Sequence, residues 1–256
     1  MNGYLSVKMH LRRQGVNMLI YPRYLSFEVT RRCNLNCKHC MRGNSQDLDM
    51  SEEIVKRTLD SIPELYYINF TGGEPSLNTK LIEFIIDELK RRAIKVYGFD
   101  VVSNVVDTNN INNLIRILSN FKTYCFDDRV DTSRLAISID EYHKFMELPT
   151  QKCNFTLCYK KELEEVLNLG RAKDLNCKKT SKDANFINVI RQYGTDTIML
   201  GNSIVVSANG DVRLSVDYEY SSTDDVIGNV LENSLGDIIS KEIERAKDSW
   251  RRRSWE

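Results

Sequence analysis

Segments typical of β-strands alternate with segments typical of α-helices from residue 24 to residue 140, and this alternation limits the possible folds more than any other feature. Apolar residues with helical spacing fill the intervals, as in Leu81, Ile82, Ile85, Ile86 and Leu89. Strands and helices that alternate in this way predict parallel β/α units with helices outside the sheet, and therefore an α/β fold. The strand segments are rich in β-branched and aromatic residues and cover 24–30, 66–70, 94–103 and 134–140.

A polar or reactive segment comes at the end of each of these four strands. The first strand is followed by Cys-Asn-Leu-Asn-Cys-Lys-His-Cys at 33–40, and the second runs into Thr-Gly-Gly-Glu-Pro at 71–75. The carboxyl ends of parallel strands meet at one edge of the sheet, where such folds place their chemistry. We therefore expect the four segments to share one site. The third and fourth strands contribute Ser103, Asn104, Ser138 and Asp140.

Three cysteines within eight residues, Cys33, Cys37 and Cys40, indicate a metal site. Zinc usually requires paired cysteines or a histidine at a suitable spacing, and His39 lies too close to its cysteine neighbours to complete a tetrahedron easily. A ferredoxin would need a fourth cysteine, but position 44 is asparagine. The pattern favours a four-iron cluster with one iron open to an exchangeable ligand. A zinc-binding or non-catalytic iron–sulfur protein remains an alternative.

The glycine-rich segment suits the binding of a small ligand beside the cysteines. Gly72 and Gly73 allow a ligand to approach the backbone, whose amide and carbonyl groups could hold an amino acid head group. Glu74 could pair with an ammonium group. Alone, this segment could be a simple turn before a helix.

Together, the cysteine and glycine motifs resemble those of the radical S-adenosylmethionine (SAM) superfamily, over roughly residues 22–140. The resemblance implies that Cys33, Cys37 and Cys40 ligate one [4Fe-4S] cluster, whose fourth iron is chelated by the amino and carboxylate groups of SAM. It also implies a partial (β/α) TIM-like barrel. It implies that His39 lies against the adenine side of SAM and that the methionine amino group is held by Gly72, Gly73 and Glu74. It also implies that the methionine and ribose part of the pocket is lined by Asn104, Ser138 and Asp140.

The resemblance implies a radical reaction. It implies that an external reductant of the flavodoxin or ferredoxin type gives one electron to the cluster. The cluster passes this electron to SAM, which is cleaved to methionine and a 5′-deoxyadenosyl radical, and the radical then removes a hydrogen atom from the substrate. The substrate class that we favour is a peptide or protein, as in the maturation of ribosomally made peptides. A nucleotide or another small metabolite is the alternative.

The pattern changes after residue 200. Two alternating runs around Asn209 and Gly210 predict a β-hairpin, followed by a helix from about residue 235. We therefore predict a radical SAM core at 1–200 and a small extension at 201–256. The extension resembles the SPASM/Twitch type, but Met199 and Ser215 stand where cluster cysteines are found, so we expect no auxiliary cluster.

Several residues outside the two motifs have less certain roles. Cys125, Cys153, Cys158 and Cys177 are irregularly spaced, which favours ordinary thiols over a second cluster. Residues 160–170 suggest a helix capped by Gly170, and Arg171 could reach towards the cofactor or simply be solvated. A cluster after the hairpin suggests a substrate lid, and His143 or a neighbouring tyrosine could face the substrate. The lid cluster contains Asp217, Tyr218 and Tyr220.

Composition excludes some classes of function. The 256-residue chain has 36 basic and 36 acidic side chains and a net charge of zero, which argues against a general nucleic-acid binder. No apolar run resembles a signal peptide or a membrane span. We therefore expect a cytoplasmic protein whose seven cysteines are reduced or bound to metal.

Overall fold

The computed structural model describes residues 18–104, 106–127, 129–139, 143, 152–160, 166–175, 187–194 and 196–253. The strands in this part of the chain are β1 (Leu19–Thr30), β2 (Glu64–Gly72), β3 (Lys95–Ser103), β4 (Arg134–Ser138), β5 (Thr156–Lys160), β6 (Val189–Tyr193), β7 (Thr197–Val206), β8 (Asp211–Arg213) and β9 (Gly228–Asn229). The helices are α1 (Glu52–Leu59), α2 (Thr79–Arg91), α3 (Thr108–Lys122) and α4 (Leu235–Arg253).

All nine of these strands belong to one sheet. Along its main path the order is β5-β4-β3-β2-β1-β7-β8-β9, and β6 pairs with β7. The strands β1 to β5 are parallel to one another, and β7 runs parallel to β1, whereas β6, β8 and β9 are antiparallel to their partners. The described strands do not close into a ring. This topology confirms the predicted α/β fold and its partial barrel.

The two faces of β1 have different roles. Leu25, Phe27 and Val29 are buried in the main hydrophobic core, together with apolar residues of all four helices. The alternate residues Ser26 and Glu28 are also buried but lie on the face opposite the helices, because successive side chains of a strand point to opposite sides. The sheet therefore presents a polar face to the side that carries no helix in the described part of the chain.

Local signals explain the positions of the helices. Ser51, Asn78 and Asp107 are the N-caps of α1, α2 and α3, and each side chain accepts a hydrogen bond from a backbone amide of the first turn. Each helix therefore begins shortly after a strand-to-helix loop, and these loops carry the predicted site residues.

The C-terminal hairpin and final helix are confirmed. β7 and β8 pair around Asn209 and Gly210, whose φ of +89° suits a tight turn, and α4 begins at Leu235. The predicted boundary at residue 200 falls inside β7, so the core and the extension share a strand, and their division into two units stays a prediction.

One predicted helix does not reach its expected end. Residues 161–165 of the segment 160–170 lie outside the described residues, but 166–169 are not helical, and a 3-10 turn spans Gly170–Leu175. Gly170 has a φ of +55°, and its position is fixed by contact with the cysteine loop rather than by a helix. Among the described residues, no helix combines the length and apolar character that crossing a membrane needs.

Candidate functional site

A single cavity lies at the carboxyl ends of β1, β2, β3 and β4. Each of these strands leads directly into residues of the cavity wall, as the sequence predicts for parallel strands. An adjoining cavity shares part of the wall and is also lined by Gly72, Thr71 and Asp217. The predicted residues that line the first cavity are Cys33, Cys37, His39, Cys40, Gly73, Glu74, Asn104 and Ser138, together with Ser103. Asp140 lies outside the described residues.

The three cysteines of the loop are partly exposed and form no disulfide bond with a described residue. The side-chain amide of Asn104 lies 3.8 Å from the Cys33 sulfur, and Nε2 of His143 lies 3.7 Å from the Cys37 sulfur. Burial raises the pKa of the Cys33 thiol, and the charges of Glu74 and Cys40 add to this effect. Because a metal ligand must be a thiolate, binding of metal at Cys33 will release a proton.

The glycine segment lies very close to the start of the cysteine loop. A Cβ atom on Gly72 would lie 2.1 Å from the carbonyl oxygen of Thr30, and one on Gly73 would lie 2.2 Å from that of Arg32. The amides of Gly73 and Glu74 donate to these same two carbonyl oxygens, each at 2.8 Å. The Gly73 amide, which the sequence offers to a ligand, is therefore engaged within the protein, and the two hydrogen bonds fasten the end of β2 to the start of the cysteine loop. That the glycine carbonyl groups hold an amino acid head group stays a prediction.

The Glu74 carboxylate is buried and held from three sides. Its Oε1 accepts hydrogen bonds from the Ser103 hydroxyl at 2.7 Å and from the Ser76 amide at 3.0 Å. Its Oε2 accepts one from the Asn104 amide at 2.8 Å. A carboxylate offers about four acceptor positions, so three protein donors leave one for a further donor such as an ammonium group. The network joins the ends of β2 and β3 at the cavity.

The Asn104 side chain orients the cysteine loop. Its amide nitrogen donates to the Asn34 side-chain oxygen at 2.8 Å besides contacting the Cys33 sulfur, and its oxygen accepts from the Val106 amide at 3.1 Å. The His39 ring lies edge-on to the His143 ring with centroids 5.4 Å apart. Asn104 and His143 therefore both contact the cysteine loop directly.

Arg171 holds the cysteine loop through its backbone. Its Nε donates to the Cys37 carbonyl oxygen at 2.8 Å and its Nη1 to the Gly43 carbonyl oxygen at 2.5 Å, while its own amide donates to the Cys40 carbonyl oxygen at 3.0 Å. The guanidinium also lines the cavity. A Cβ on the preceding Gly170 would lie within 2.6 Å of three backbone atoms of this loop. The sequence left Arg171 either to reach towards the cofactor or to be solvated; in the structure it contacts the cysteine loop, and a contact with the cofactor stays a prediction.

Sequence reasoning missed two arginines in the cavity wall. Arg31 is buried and pairs with Glu28 at 3.2 Å, and its guanidinium also donates to the Asn209 side chain at 3.2 Å. Arg42 is buried and donates to the Tyr218 carbonyl oxygen at 2.9 Å. A buried arginine needs partners. Glu28 lies only three residues before Arg31, but Asn209 and Tyr218 lie in the distant hairpin region, and no local pattern shows these two contacts.

The three loop cysteines are the donor set that a cluster would need. Three separate thiolates that line one cavity suit a cluster, in which each cysteine binds a different iron.

The remaining described cysteines belong to the packing of the protein. Cys125 is buried in the main core, and burial raises its pKa to about 11. Cys153 packs against the same core, and its thiol lies 3.4 Å from the Phe155 carbonyl oxygen. Cys158 lies in β5, and Cys177 lies outside the described residues. These positions agree with ordinary thiols. Ser215, which stands where a cluster cysteine is found in the SPASM/Twitch type, is buried, and its hydroxyl accepts a hydrogen bond from the Asp217 amide.

A parallel sheet that gathers three cysteine side chains, a glycine-rich turn and a buried carboxylate at its carboxyl edge has the arrangement of an α/β enzyme. The Radical SAM superfamily model matches residues 27–169, more than half of the chain, and the chain belongs to this superfamily. It is therefore a radical SAM enzyme, and the family implies SAM and a [4Fe-4S] cluster as cofactors.

Known relatives differ in how much of the chain they match. "Uncharacterized protein MJ0907" of Methanocaldococcus jannaschii is 26% identical over 245 residues, which cover 84% of this chain and 83% of that protein. The AdoMet-dependent heme synthase of Oleidesulfovibrio alaskensis is 38% identical over 68 residues, or 25% of this chain and 18% of the synthase. The subtilosin biosynthesis protein AlbA of Bacillus subtilis is 30% identical over 92 residues, or 33% of this chain and 20% of AlbA. The last two matches span about a fifth of those relatives.

Proposed function

We propose that this chain binds one [4Fe-4S] cluster through Cys33, Cys37 and Cys40, binds SAM at the open iron, and uses the resulting radical on a peptide or protein. The observation that carries the proposal is the cavity that these cysteines share with Glu74 and Asn104 at the carboxyl ends of the strands. A cluster bound there supplies one electron, which cleaves SAM to methionine and a 5′-deoxyadenosyl radical that abstracts hydrogen from the substrate.

The residues of the chain position the reactants. Asn104 and Arg171 hold the cysteine loop from two sides, one through a thiol and the other through backbone carbonyl oxygens. The remaining acceptor position of Glu74 suits the methionine ammonium, because the protein donors already fix the carboxylate. His39 and Ser138 line both cavities, which supports a position for them between cofactor and substrate.

The adjoining cavity offers an approach for the substrate. It extends from the cysteine loop along the helix-free face of the sheet and includes Thr71, Val102 and Asp217. Val102 is 40% exposed, which is unusual for a valine inside a parallel sheet and leaves an apolar surface for a substrate. The similarity to AlbA, a bacteriocin biosynthesis protein, supports a peptide substrate, and the similarity to a heme synthase keeps a small metabolite as the second candidate.

The proposal is tested with protein reconstituted anaerobically with iron and sulfide. We expect about four irons per chain, and after reduction the protein should convert SAM to 5′-deoxyadenosine and methionine. The Cys37→Ala variant should lose both, whereas the Cys158→Ala variant should keep both, since Cys158 lies in β5 away from the loop. A Cys37→Ala variant that cleaves SAM at the wild-type rate would refute the ligand assignment.

A second assay addresses the substrate. A short peptide encoded beside the gene should increase 5′-deoxyadenosine formation and should itself change in mass or lose deuterium from a labelled position. Stimulation by a small metabolite together with no effect of such a peptide would overturn the peptide assignment and leave the superfamily chemistry intact.

A further inference from the structure

His143 follows the fourth parallel strand, and the sequence offers it only as a residue that could face the substrate. In the structure it lines both the cysteine cavity and the adjoining cavity. Nε2 of its ring lies 3.7 Å from the Cys37 sulfur, within reach of a long hydrogen bond to sulfur. The two residues are 106 positions apart, and they meet because β1 and β4 run parallel in one sheet and end at the same edge.

Other residues hold both sides of this contact. The His39 ring lies edge-on to the His143 ring, with the centroids 5.4 Å apart and the ring planes at 73°. On the other side, the Cys37 carbonyl oxygen accepts a hydrogen bond from Nε of Arg171 at 2.8 Å. The imidazole therefore approaches a cysteine whose backbone is already fixed.

The chemistry of the two groups sets the direction of this hydrogen bond. A cysteine that ligates iron is a thiolate, which has no proton and can only accept. A neutral imidazole with its proton on Nε2 supplies the donor, and a hydrogen bond to a charged acceptor is stronger than one between neutral groups. No change in the protonation state of the histidine is needed.

Such a hydrogen bond changes how readily the cluster takes up an electron. Hydrogen bonds to the sulfur atoms of an iron–sulfur cluster stabilise its reduced, more negative state and so raise its reduction potential. On the basis of the proposed function, we propose that His143 is a positioning residue whose Nε2–H donates to the Cys37 thiolate and makes the cluster easier to reduce. The segment after β4 thus contributes to electron transfer as well as to the cavity wall.

The test compares His143→Phe with His143→Gln by redox titration of the reconstituted cluster, monitored by electron paramagnetic resonance (EPR). His143 is partly exposed and lies outside the described helices and strands, so we expect both variants to fold. Glutamine carries a neutral N–H donor at the same number of bonds from Cα as Nε2 of histidine, whereas phenylalanine keeps an aromatic ring and loses the donor.

We expect His143→Phe to bind the electron up to tenfold more weakly, a shift of up to about 59 mV to more negative potential for one electron. His143→Gln should keep most of the wild-type potential, because the donor is restored without a ring or a charge. Equal potentials in all three proteins would overturn the inference. An equal loss in both variants would also overturn it, since the hydrogen bond would then not be the cause.

A second measurement uses the wild-type protein and does not depend on the potential. The chain has three histidines, and after they are labelled with 15N, pulsed EPR of the reduced cluster should detect a weak coupling to a histidine nitrogen. This coupling should be absent from labelled His143→Gln, in which His39 remains as an internal control. No coupling in the wild type would refute the inference, and so would a strong one typical of nitrogen bound to iron.

The outcomes separate this inference from the proposed function. A chain that assembles the cluster and cleaves SAM but fails these tests refutes the role of His143 alone. A chain that binds no cluster refutes the proposed function and this inference with it.

Discussion

The contacts of Arg171 with the cysteine loop give a prediction whose size follows from the structure. The side chain donates to the carbonyl oxygens of Cys37 and Gly43 and more weakly, at 3.4 Å, to the Asn44 side chain. In Arg171→Ala these acceptors lose a charged donor, although partly exposed carbonyl groups can bind water instead. A hydrogen bond to a charged group contributes about 1.5–3 kcal/mol, so with this compensation we expect a loss of about 2 kcal/mol.

This loss should appear mainly as weaker binding of iron, because the contacts hold the loop and not the core. Since 1.4 kcal/mol corresponds to a factor of ten, Arg171→Ala should retain iron against a chelator about 30-fold less well than wild type. Arg171→Lys restores the charge but lacks the planar fork that reaches two carbonyl oxygens, so we expect it to resemble the alanine variant.

The assay is the iron content of anaerobically reconstituted protein titrated with a chelator. Lys173→Ala is the control, because Lys173 lies in the same 3-10 turn but forms an ion pair with Glu219 and not with the loop. The control should match wild type. Wild-type iron retention in Arg171→Ala, or equal losses in both alanine variants, would refute the reasoning.

Three further predictions concern stability. Gly170→Ala should lower iron binding strongly, because its Cβ would meet three loop atoms within 2.6 Å. Gly194→Ala has a similar φ of +62°, but its Cβ would meet only the Asp196 side chain at an ordinary 3.8 Å, so it should cost about 1–2 kcal/mol in urea unfolding and leave iron binding unchanged; equal losses of iron in the two variants would contradict this. Glu28→Gln should destabilise the fold by about 3–5 kcal/mol in the same assay, since the buried glutamate has an arginine partner, and an unchanged midpoint would refute it. The hydrogen bond from Arg91 lowers the pKa of Glu88 from 4.5 to about 2, so this group stabilises the fold above pH 4.5, and the effect disappears as the pH falls towards 2. Glu88→Gln should therefore flatten the stability curve between these values, and an unaltered acid slope would exclude this contribution.

The sequence predicts the parts of the fold that depend on local patterns. Strand and helix periodicities, and cap residues such as Ser51, locate the β/α units to within a few residues. The rule that parallel strands end at one edge then brings the cysteine loop, Glu74 and Asn104 together without further information. The candidate site follows largely from chain order.

The contacts that complete the site are not visible in the sequence, because they join distant segments. Arg31 and Asn209 are 178 residues apart, and Arg42 and Tyr218 are 176 apart. The parallel pairing of β7 with β1 creates these contacts, but β7 looks like a simple hairpin strand in the sequence. The sequence offers Tyr220 as part of a substrate lid, but it shows neither the burial of this side chain nor the hydrogen bond from its amide to the Arg42 carbonyl oxygen.

The central claim is that three cysteines leave one iron of the cluster open for SAM. The most direct test is the EPR spectrum of the reduced, reconstituted protein with and without SAM. We predict a spectrum typical of one [4Fe-4S] cluster that changes when SAM is added, because the amino and carboxylate groups bind the open iron. A spectrum that SAM leaves unchanged, or a protein that binds zinc and no cluster, would contradict the account.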